Sequence, residues 1–264
     1  MFQESDVRAK KHLGQHFLKD ASFAQRIAEA LSPSACSGLV LEIGPGTGAL
    51  TRPLLERLER PPFGLELDRE SVAYLVESKT LPADHVLEQD LLKWSPADHP
   101  AFREEPFALV GNFPYNISSQ ILFWTLDHRG QIPELVGMFQ KEVAERVVAP
   151  HGSKTYGILS VLIQLHYDAT YLFTVPPGAF NPPPKVQSGV IRLAQKSSPP
   201  EQLEYSHLKA VVKAAFNQRR KTLRNALRSG GFDVSSLDEA TLSLRAEQVS
   251  PENFATLARL LPAR

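Results

Sequence analysis

The sequence contains a single cysteine, Cys36, among its 264 residues. One cysteine cannot form a disulfide within the chain, and it provides no set of thiolates for a cysteine-based metal site. We therefore expect no bound metal. The lack of disulfides favours a reducing, cytoplasmic location.

Long apolar runs are also missing. No stretch approaches the roughly 18 apolar residues that a membrane-spanning helix needs. The residues from Met1 to Leu18 are too polar to form the apolar centre of a signal peptide. We therefore expect no membrane partner.

Net charge is absent as well, because 29 Lys and Arg residues balance 29 Asp and Glu residues. The distribution is uneven: no acid occurs from Ser206 to Gly231, whereas acids predominate between Glu66 and Glu105. The basic stretch is either a solvated surface or a surface that binds nucleic-acid phosphates, and its lack of acids favours the second. Arg220 and Arg224 have the spacing of neighbours on one helix face. The residues predicted to bind RNA phosphates are Lys10, Lys11, Lys185, Arg219, Arg220, Lys221 and Arg224.

Apolar segments alternate with amphipathic ones over most of the chain. We predict strands at 39–43, 63–67, 85–88, 107–110 and 134–140, helices between them, and later strands near 169–175 and 186–193. This alternation is typical of an α/β fold with a mostly parallel, doubly wound sheet and helices on both faces.

The chain changes character at a predicted linker, 195–200 (QKSSPP), after which only helical patterns occur. We therefore predict three parts. They are a basic, partly docked N-terminal segment (1–20), an α/β domain (21–196) and a small C-terminal α-helical domain (197–264).

A glycine-rich segment, Gly44-Pro45-Gly46-Thr47-Gly48, follows the first predicted strand and precedes a helix, as nucleotide-binding loops do. Glu66 ends the second strand, where a carboxylate accepts hydrogen bonds from ribose hydroxyls. Asp90 follows the third strand, where it can accept a hydrogen bond from an adenine amino group. The loop alone also fits a structural turn or a dinucleotide site. Because Pro45 lacks an N–H for a pyrophosphate, S-adenosylmethionine is favoured over NAD.

The segment Asn112-Phe113-Pro114-Tyr115 follows the fourth predicted strand, at the edge where open α/β sheets bind ligands. The exocyclic N6 amine of adenine is a poor nucleophile because its lone pair is delocalised into the ring. The Asn112 side-chain oxygen and the Pro114 carbonyl can accept hydrogen bonds from the amine and direct its lone pair at a methyl donor. We predict that Tyr115 and Phe180 stack on the ring. The alternative is that the segment is only a turn.

These motifs resemble those of a known family. Nearly end to end, the chain is similar to the ribosomal RNA adenine N6,N6-dimethyltransferases of the KsgA type, and the block at 216–225 is especially specific. The segments that carry the resemblance are 14–18 (GQHFL), 42–48 (EIGPGTG), 66–68 (ELD), 89–90 (QD), 111–118 (GNFPYNIS), 140–143 (QKEV), 180–186 (FNPPPKV), 216–225 (FNQRRKTLRN) and 245–247 (RAE).

The resemblance implies a Rossmann-like methyltransferase domain followed by a helical domain that contacts RNA. It implies methyl transfer from S-adenosylmethionine to two adjacent adenosines in a hairpin loop near the 3′ end of small-subunit rRNA, with a role in subunit biogenesis. We expect a monomer. The implied cofactor-binding residues are His16, Leu18, Gly44, Gly46, Glu66, Asp90, Leu91 and Asn112, and the implied catalytic residues are Asn112, Pro114, Tyr115 and Phe180.

The chain departs from the family at two positions. His16 stands where the family usually has Asn, although a neutral imidazole can still donate or accept one hydrogen bond. Phe113 stands where the family usually has Leu, and we expect this apolar exchange to matter little.

Three other functions remain open at this level. The related Erm-type enzymes methylate large-subunit rRNA, and the 216–225 block with the helical tail favours the small-subunit enzyme. The protein could instead act mainly as an RNA-binding assembly factor, although both motifs needed for transfer are intact. An NAD dehydrogenase is disfavoured because it gives Asn112–Tyr115 no role.

Overall fold

The computed structural model describes residues 7–198 and 203–262. The predicted N-terminal segment (1–20) and the predicted linker (195–200) therefore lie partly outside the described residues. The chain forms two compact units. One holds the chain through Ala144 together with Thr170–Gln195, and the other holds Glu145–Ala169 together with the chain from Lys196 onward. The predicted boundary did not assign 145–169 to the helical unit.

A seven-stranded sheet forms the centre of the first unit, in the order β4-β3-β2-β5-β6-β9-β7. Its strands from β2 to β6 are parallel, and β9 is antiparallel to β6. The predicted α/β fold with a mostly parallel sheet is confirmed. The strands are β2 (Leu39–Ile43), β3 (Phe63–Glu66), β4 (Val86–Glu88), β5 (Phe107–Asn112), β6 (Glu134–Gln140), β7 (Tyr167–Val175) and β9 (Ser188–Gln195).

Two further strands, each of two residues, were not predicted. They are β1 (Phe17–Leu18) and β8 (Phe180–Asn181), which pair in antiparallel fashion as a separate small sheet. A two-residue strand has no periodicity to recognise, so only the fold reveals it.

Helices follow most strands. Those before the second unit are α1 (Ala21–Glu29), α2 (Pro33–Ser37), α3 (Thr51–Arg57), α4 (Arg69–Glu77), α5 (Pro100–Glu104) and α6 (Ser118–Asp127). The helix α7 (Lys141–Val148) runs from the first unit into the second. The helix α1 is capped at its N-terminus by Asp20, whose side chain accepts a 3.0 Å hydrogen bond from the Ser22 N–H.

Burial explains why β5 reads as a continuous apolar run. Phe107, Leu109 and Val110 are at most 1% exposed because helices cover both faces of the sheet. Full burial of one such side chain contributes about 1.5–3 kcal/mol. This core fixes the position of the residues that follow the strand, which are those of the candidate site.

The second unit is helical. The helix α12 packs against both α8 and α9, and the rings of Phe216 and Phe254 lie 5.8 Å apart between their centroids. The Tyr156 hydroxyl, in the segment before α8, donates a 3.0 Å hydrogen bond to the Val249 carbonyl. The helices of this unit are α8 (Ile158–His166), α9 (Tyr205–Asn217), α10 (Leu223–Ser229), α11 (Glu239–Ser243) and α12 (Pro251–Leu260).

In the part of the chain that the structure describes, no helix is long and apolar enough to cross a membrane.

Candidate active site

A cavity of about 210 Å³ lies at the carboxyl ends of the parallel strands. Its walls come from the ends of β2, β3 and β5, from the segment after β4, and from the N-terminal residues 13–17. In a parallel sheet these strand ends share one edge, so residues far apart in sequence meet there. The predicted residues that line the cavity are His16, Gly44, Gly46, Glu66, Asp90, Leu91, Asn112, Pro114 and Tyr115.

All three glycines of the loop after β2 have backbone angles that other residues rarely adopt. Gly44 has φ 66°, Gly46 has φ 57° and Gly48 has φ 80°. A Cβ added to Gly46 would lie 2.9 Å from Cε1 of Phe17, so the N-terminal segment packs directly on the loop. A Cβ on Gly44 would meet no atom within 4 Å. The loop thus leaves open space at Gly44 and is covered by Phe17 at Gly46.

Glu66 is 5% exposed and holds the loop in place. Its Oε2 accepts a hydrogen bond from the Gly46 N–H at 3.0 Å, and its Oε1 accepts from the Leu67 and Asp68 N–H groups at 2.9 Å each. A carboxylate has about four acceptor positions, so one remains for a ligand. The geometry leaves room for only one of the two ribose hydroxyls from which Glu66 is predicted to accept hydrogen bonds. Burial raises the pKa of Glu66, although these three backbone donors oppose the rise.

Asp90 and Leu91 lie just beyond β4. The Asp90 Oδ1 accepts a 3.0 Å hydrogen bond from the Leu92 N–H, which orients the carboxylate within its turn. The Leu91 side chain is 3% exposed, so it supplies apolar wall, while Asp90 supplies a polar group at the same edge.

Asn112 is the last residue of β5. Its Nδ2 donates a 2.8 Å hydrogen bond to the His16 carbonyl. Because Nδ2 is bound there, the side-chain oxygen Oδ1 is directed away from His16. The oxygen end of the amide therefore remains available as a hydrogen-bond acceptor.

The next residue, Phe113, anchors the segment in the core. Its side chain is 1% exposed, and its ring lies 4.8 Å from that of Phe139 between centroids. A Cβ added to Gly137 on β6 would lie 2.1 Å from Cε2 of Phe113, so the ring occupies space that a side chain at 137 would need. Pro114 and Tyr115 then line the cavity.

Tyr115 is held at both ends. Its hydroxyl forms a short hydrogen bond with the hydroxyl of Ser188 on β9, and its ring lies 5.5 Å from the His16 ring between centroids. Burial raises the pKa of the Tyr115 phenol, although the hydrogen bond with Ser188 opposes the rise. Sequence reasoning missed Ser188, because nothing near it in the chain marks it as a partner of a residue on β5.

The N-terminal segment forms one wall of the cavity, but two of its predicted residues have other surroundings. Leu18 is 6% exposed, belongs to the hydrophobic core and does not line the cavity. The Lys10 ammonium lies 2.5 Å from Oδ1 of Asp68 and 3.2 Å from Oε1 of Glu70. The hydrogen bond with Asp68 raises the pKa of Lys10. The structure thus pairs Lys10 with acids instead of leaving it to phosphates.

Asp68 was quoted in a motif but not predicted as a site residue. Its carboxylate also accepts a 3.3 Å hydrogen bond from the Gln15 side chain, so it ties the segment before the cavity to the end of β3. Burial opposes the shift, yet the hydrogen bonds from Lys10 and Gln15 lower the pKa of Asp68.

Phe180 is not where the sequence interpretation put it. Its side chain is 1% exposed, lies in the core with Leu18 and Ile27, and does not line the cavity. The pairing of β8 with β1 places this apolar ring inside, because burial of its surface is more favourable than exposure at the cavity rim.

Glu42 lies on β2 below the loop and is 1% exposed. Burial and the nearby charge of Glu66 raise the pKa of Glu42 to about 8, although a 2.7 Å hydrogen bond from the Thr51 hydroxyl opposes the rise. Glu42 is therefore mostly neutral at pH 7, which reduces the cost of burying it.

The basic residues of the second unit have different surroundings from one another. Arg219, Arg220 and Lys221 are exposed and precede α10, so Arg220 does not share a helix face with Arg224 as its spacing suggested. Arg224 forms an ion pair with Glu239. In the first unit, Lys11 and Lys185 are exposed.

Arg219 donates a 2.6 Å hydrogen bond to the Lys154 carbonyl.

Among the described residues, no group of three or more His, Cys, Asp or Glu side chains is arranged to hold a metal ion.

Known proteins are similar to this chain in sequence and in fold. The family model described as ribosomal RNA adenine dimethylase matches residues 7–261. A relative from Cytophaga hutchinsonii, named ribosomal RNA small subunit methyltransferase A, is 50% identical over 258 residues, covering 98% of this chain and 99% of the relative.

Two solved structures are also similar. A dimethyladenosine transferase from Plasmodium falciparum has a TM-score of 0.74 and 26% identity, and the match covers 92% of this chain and 96% of that one. The 23S rRNA methyltransferase ErmE has a TM-score of 0.67 and 28% identity, with 92% and 98% covered. The family match over nearly the whole chain, together with the site at the end of β5, leads to one conclusion: the chain belongs to the ribosomal RNA adenine dimethylase family.

Proposed function

We propose that the protein transfers methyl groups from S-adenosylmethionine to N6 of two adjacent adenosines in a hairpin loop near the 3′ end of small-subunit rRNA, giving N6,N6-dimethyladenosine. The observation that carries the proposal is the fixed orientation of Asn112, whose Nδ2 is bound by the His16 carbonyl at 2.8 Å. The Asn112 Oδ1 is thereby left as an acceptor beside the cavity. The 50% identity to a small-subunit methyltransferase supports the choice of RNA.

The cavity suits S-adenosylmethionine in its chemistry. The glycine loop would hold it with Gly44, where there is open space, and with Gly46. Glu66 would offer a carboxylate with one free acceptor position, Asp90 a second carboxylate, and Leu91 an apolar wall. Pro45 has no N–H to offer a pyrophosphate, which disfavours a dinucleotide. When bound, S-adenosylmethionine supplies an electrophilic methyl group.

The protein's own contribution to the reaction is positioning. The Asn112 Oδ1 and the Pro114 carbonyl would accept hydrogen bonds from the two N–H groups of adenine N6. Those bonds favour a pyramidal nitrogen and stabilise the positive charge that develops on it during transfer. Tyr115, fixed through Ser188, would stack on the ring and set its plane.

An adenine inside a double helix cannot enter this cavity, so the target base must be unpaired or flipped out. A hairpin-loop adenine meets that requirement at low energetic cost. We propose that Arg219, Arg220 and Lys221 bind phosphates of the same RNA, since they are exposed in a region without acidic neighbours in sequence.

We also propose the setting in which the protein acts. It would act as a monomer, in the cytoplasm, on the small ribosomal subunit or its precursor, and it would have a role in subunit biogenesis. Support comes from the substrate class of its relative and from the single cysteine.

The experiment that tests the proposed function compares two substrates. Unmethylated small subunits and isolated large subunits are each incubated with the protein and isotopically labelled S-adenosylmethionine. We expect label in the small-subunit rRNA only. Label confined to the large subunit would replace the proposal with an Erm-type activity, which the 28% identity to ErmE does not favour against the 50% identity above.

A further inference from the structure

His16 joins three parts of the first unit at the cavity. Its backbone carbonyl accepts the hydrogen bond from Asn112 Nδ2 at 2.8 Å. Its ring lies 5.5 Å from the Tyr115 ring between centroids, with the planes inclined by 33°. Its Nδ1 lies 2.8 Å from the carbonyl oxygen of Pro182. His16 thus contacts two of the three residues proposed to hold the adenine, Asn112 and Tyr115.

The contact with Pro182 determines that Nδ1 of the His16 imidazole carries a proton. A carbonyl oxygen only accepts hydrogen bonds, so Nδ1 must carry a proton and donate it. The hydrogen bond anchors Nδ1 and therefore prevents the imidazole from rotating about its Cβ–Cγ bond. A ring anchored in this way presents a constant surface to Tyr115.

Tyr115 is consequently restrained from two sides. Ser188 fixes the phenol oxygen, and Ser188 itself is fully buried on β9. The His16 ring restrains the part of Tyr115 that Ser188 does not reach. An aromatic ring that offers a stacking face needs both restraints, because the hydroxyl contact alone leaves rotation about the ring axis free.

We infer that His16 is a positioning residue for the target adenine: its backbone carbonyl orients the Asn112 amide, and its anchored ring sets the plane of Tyr115. The inference rests on the proposed function and refines it. It differs from the role that the family resemblance implied for this position, which was a contact with the cofactor. The Asn usual at this position in the family has no ring to place against Tyr115, so this arrangement is particular to chains with a histidine here.

Substitutions at His16 separate the two side-chain contacts. In His16→Asn, the amide nitrogen takes the place of Nδ1 and can still donate to Pro182, but the ring contact is lost. In His16→Phe, a ring remains and the donor is lost. Both variants keep the backbone carbonyl that Asn112 needs. Thermal unfolding of each variant confirms that it is folded before activity is compared.

The measurements are the single-turnover rate of methyl transfer to small subunits and the dissociation constant of S-adenosylmethionine. Loss of one aromatic contact is expected to slow transfer by His16→Asn about 3- to 10-fold. The dissociation constant should stay within about 2-fold of wild type, because a positioning residue acts on orientation and not on cofactor binding. The ratio of dimethyl- to monomethyladenosine should also fall. A rise in the dissociation constant equal to the loss of rate would overturn the inference in favour of a cofactor contact.

A double-mutant cycle tests whether His16 acts through Tyr115. In a Tyr115→Ala background, His16→Asn should cause no further loss of rate, since the ring that it restrains is gone. An undiminished loss in that background contradicts the inference.

One readout does not depend on activity. The ¹⁵N resonances of the His16 ring should report a protonated Nδ1 at a pH where the ring is neutral, and His16→Asn serves to assign them. A neutral ring protonated at Nε2 would overturn the anchored state. If wild-type protein fails to methylate small subunits, the proposed function fails, whereas the resonances still decide the anchoring of His16.

Discussion

The Asn112 side chain and the His16 backbone are joined by a 2.8 Å hydrogen bond from Nδ2 to the carbonyl oxygen. The two residues lie far apart in the chain, and the bond exists because the N-terminal segment covers the carboxyl end of β5. It binds the nitrogen end of the amide and leaves the oxygen end available as an acceptor. An Asn side chain without such a partner would present its donor and its acceptor in turn, and only the acceptor suits an amine.

Two substitutions of Tyr115 separate the stacking of the target base on its ring from the hydrogen bond of its hydroxyl with Ser188. Tyr115→Phe keeps the ring but leaves the fully buried Ser188 hydroxyl without this partner, so we expect a loss of about 1–3 kcal/mol in unfolding free energy and a modest loss of transfer rate. Tyr115→Ala removes the face on which the base would stack, worth about 1–3 kcal/mol of binding per base. The rate of transfer should therefore fall far more in the Ala variant than in the Phe variant. Equal rates in the two variants would show that stacking has no role.

The packing of Phe113 against Gly137 predicts a coupled pair. Gly137→Ala places a methyl group where the Phe113 ring lies, so we expect it to destabilise the fold by about 1–3 kcal/mol and to slow transfer by displacing the neighbouring Asn112. Adding Phe113→Leu to Gly137→Ala should restore part of the lost stability and part of the lost transfer rate, because Leu leaves more space beside β6. Chemical denaturation and transfer rates of the two single variants and the double variant measure the coupling. Simple additivity of the two changes would refute it.

Basic residues of the two units should differ in their effect on the salt dependence of RNA binding. Removing Arg220 and Lys221 together (Arg220→Ala with Lys221→Ala) should reduce the slope of log affinity against log salt for small subunits by about 0.7 per lost phosphate contact. Lys10→Ala should leave that slope unchanged and lower the unfolding temperature, since Lys10 is paired with Asp68. Titrations at several salt concentrations distinguish the two variants. A reduced slope for Lys10→Ala would restore the original expectation that it contacts RNA.

Glu42 predicts a pH dependence of stability. Its folded-state pKa of about 8 lies above the ordinary value of 4.5, so neutral Glu42 contributes stability that is fully present below 4.5 and lost as pH rises toward 8. Glu42→Gln retains a neutral acceptor for Thr51 and has no proton to lose. The unfolding temperature of this variant relative to wild type should therefore increase from pH 5 to pH 8. Parallel temperature curves for the two proteins over that range would mean that Glu42 ionises normally.

Periodicity and turn chemistry predicted most of the fold, as β5 and β6 illustrate. Both are continuous apolar runs because both sheet faces are covered, and such runs are visible in sequence. The placement of Glu66, Asp90 and Asn112 at one edge followed from the parallel order of the strands.

Contacts between distant segments could not be predicted in the same way. The burial of Phe180 depends on the pairing of β1 with β8, and two-residue strands carry no periodic signal. The ion pair of Lys10 with Asp68 similarly depends on where the N-terminal segment lies. A basic residue near a terminus resembles an RNA contact until its acidic partner is located.

The most direct test concerns Asn112 and the methyl groups themselves. Unmethylated small subunits are incubated with S-adenosylmethionine and either wild-type protein or Asn112→Ala, and the methylated nucleotides are mapped and counted by mass spectrometry. We predict N6,N6-dimethyladenosine at two adjacent adenosines near the 3′ end with the wild type. The Ala variant should transfer at least about 10²-fold more slowly, the loss typical of one positioned hydrogen-bonding group, while its affinity for the subunit is retained. Dimethylation by Asn112→Ala at the wild-type rate would contradict the account.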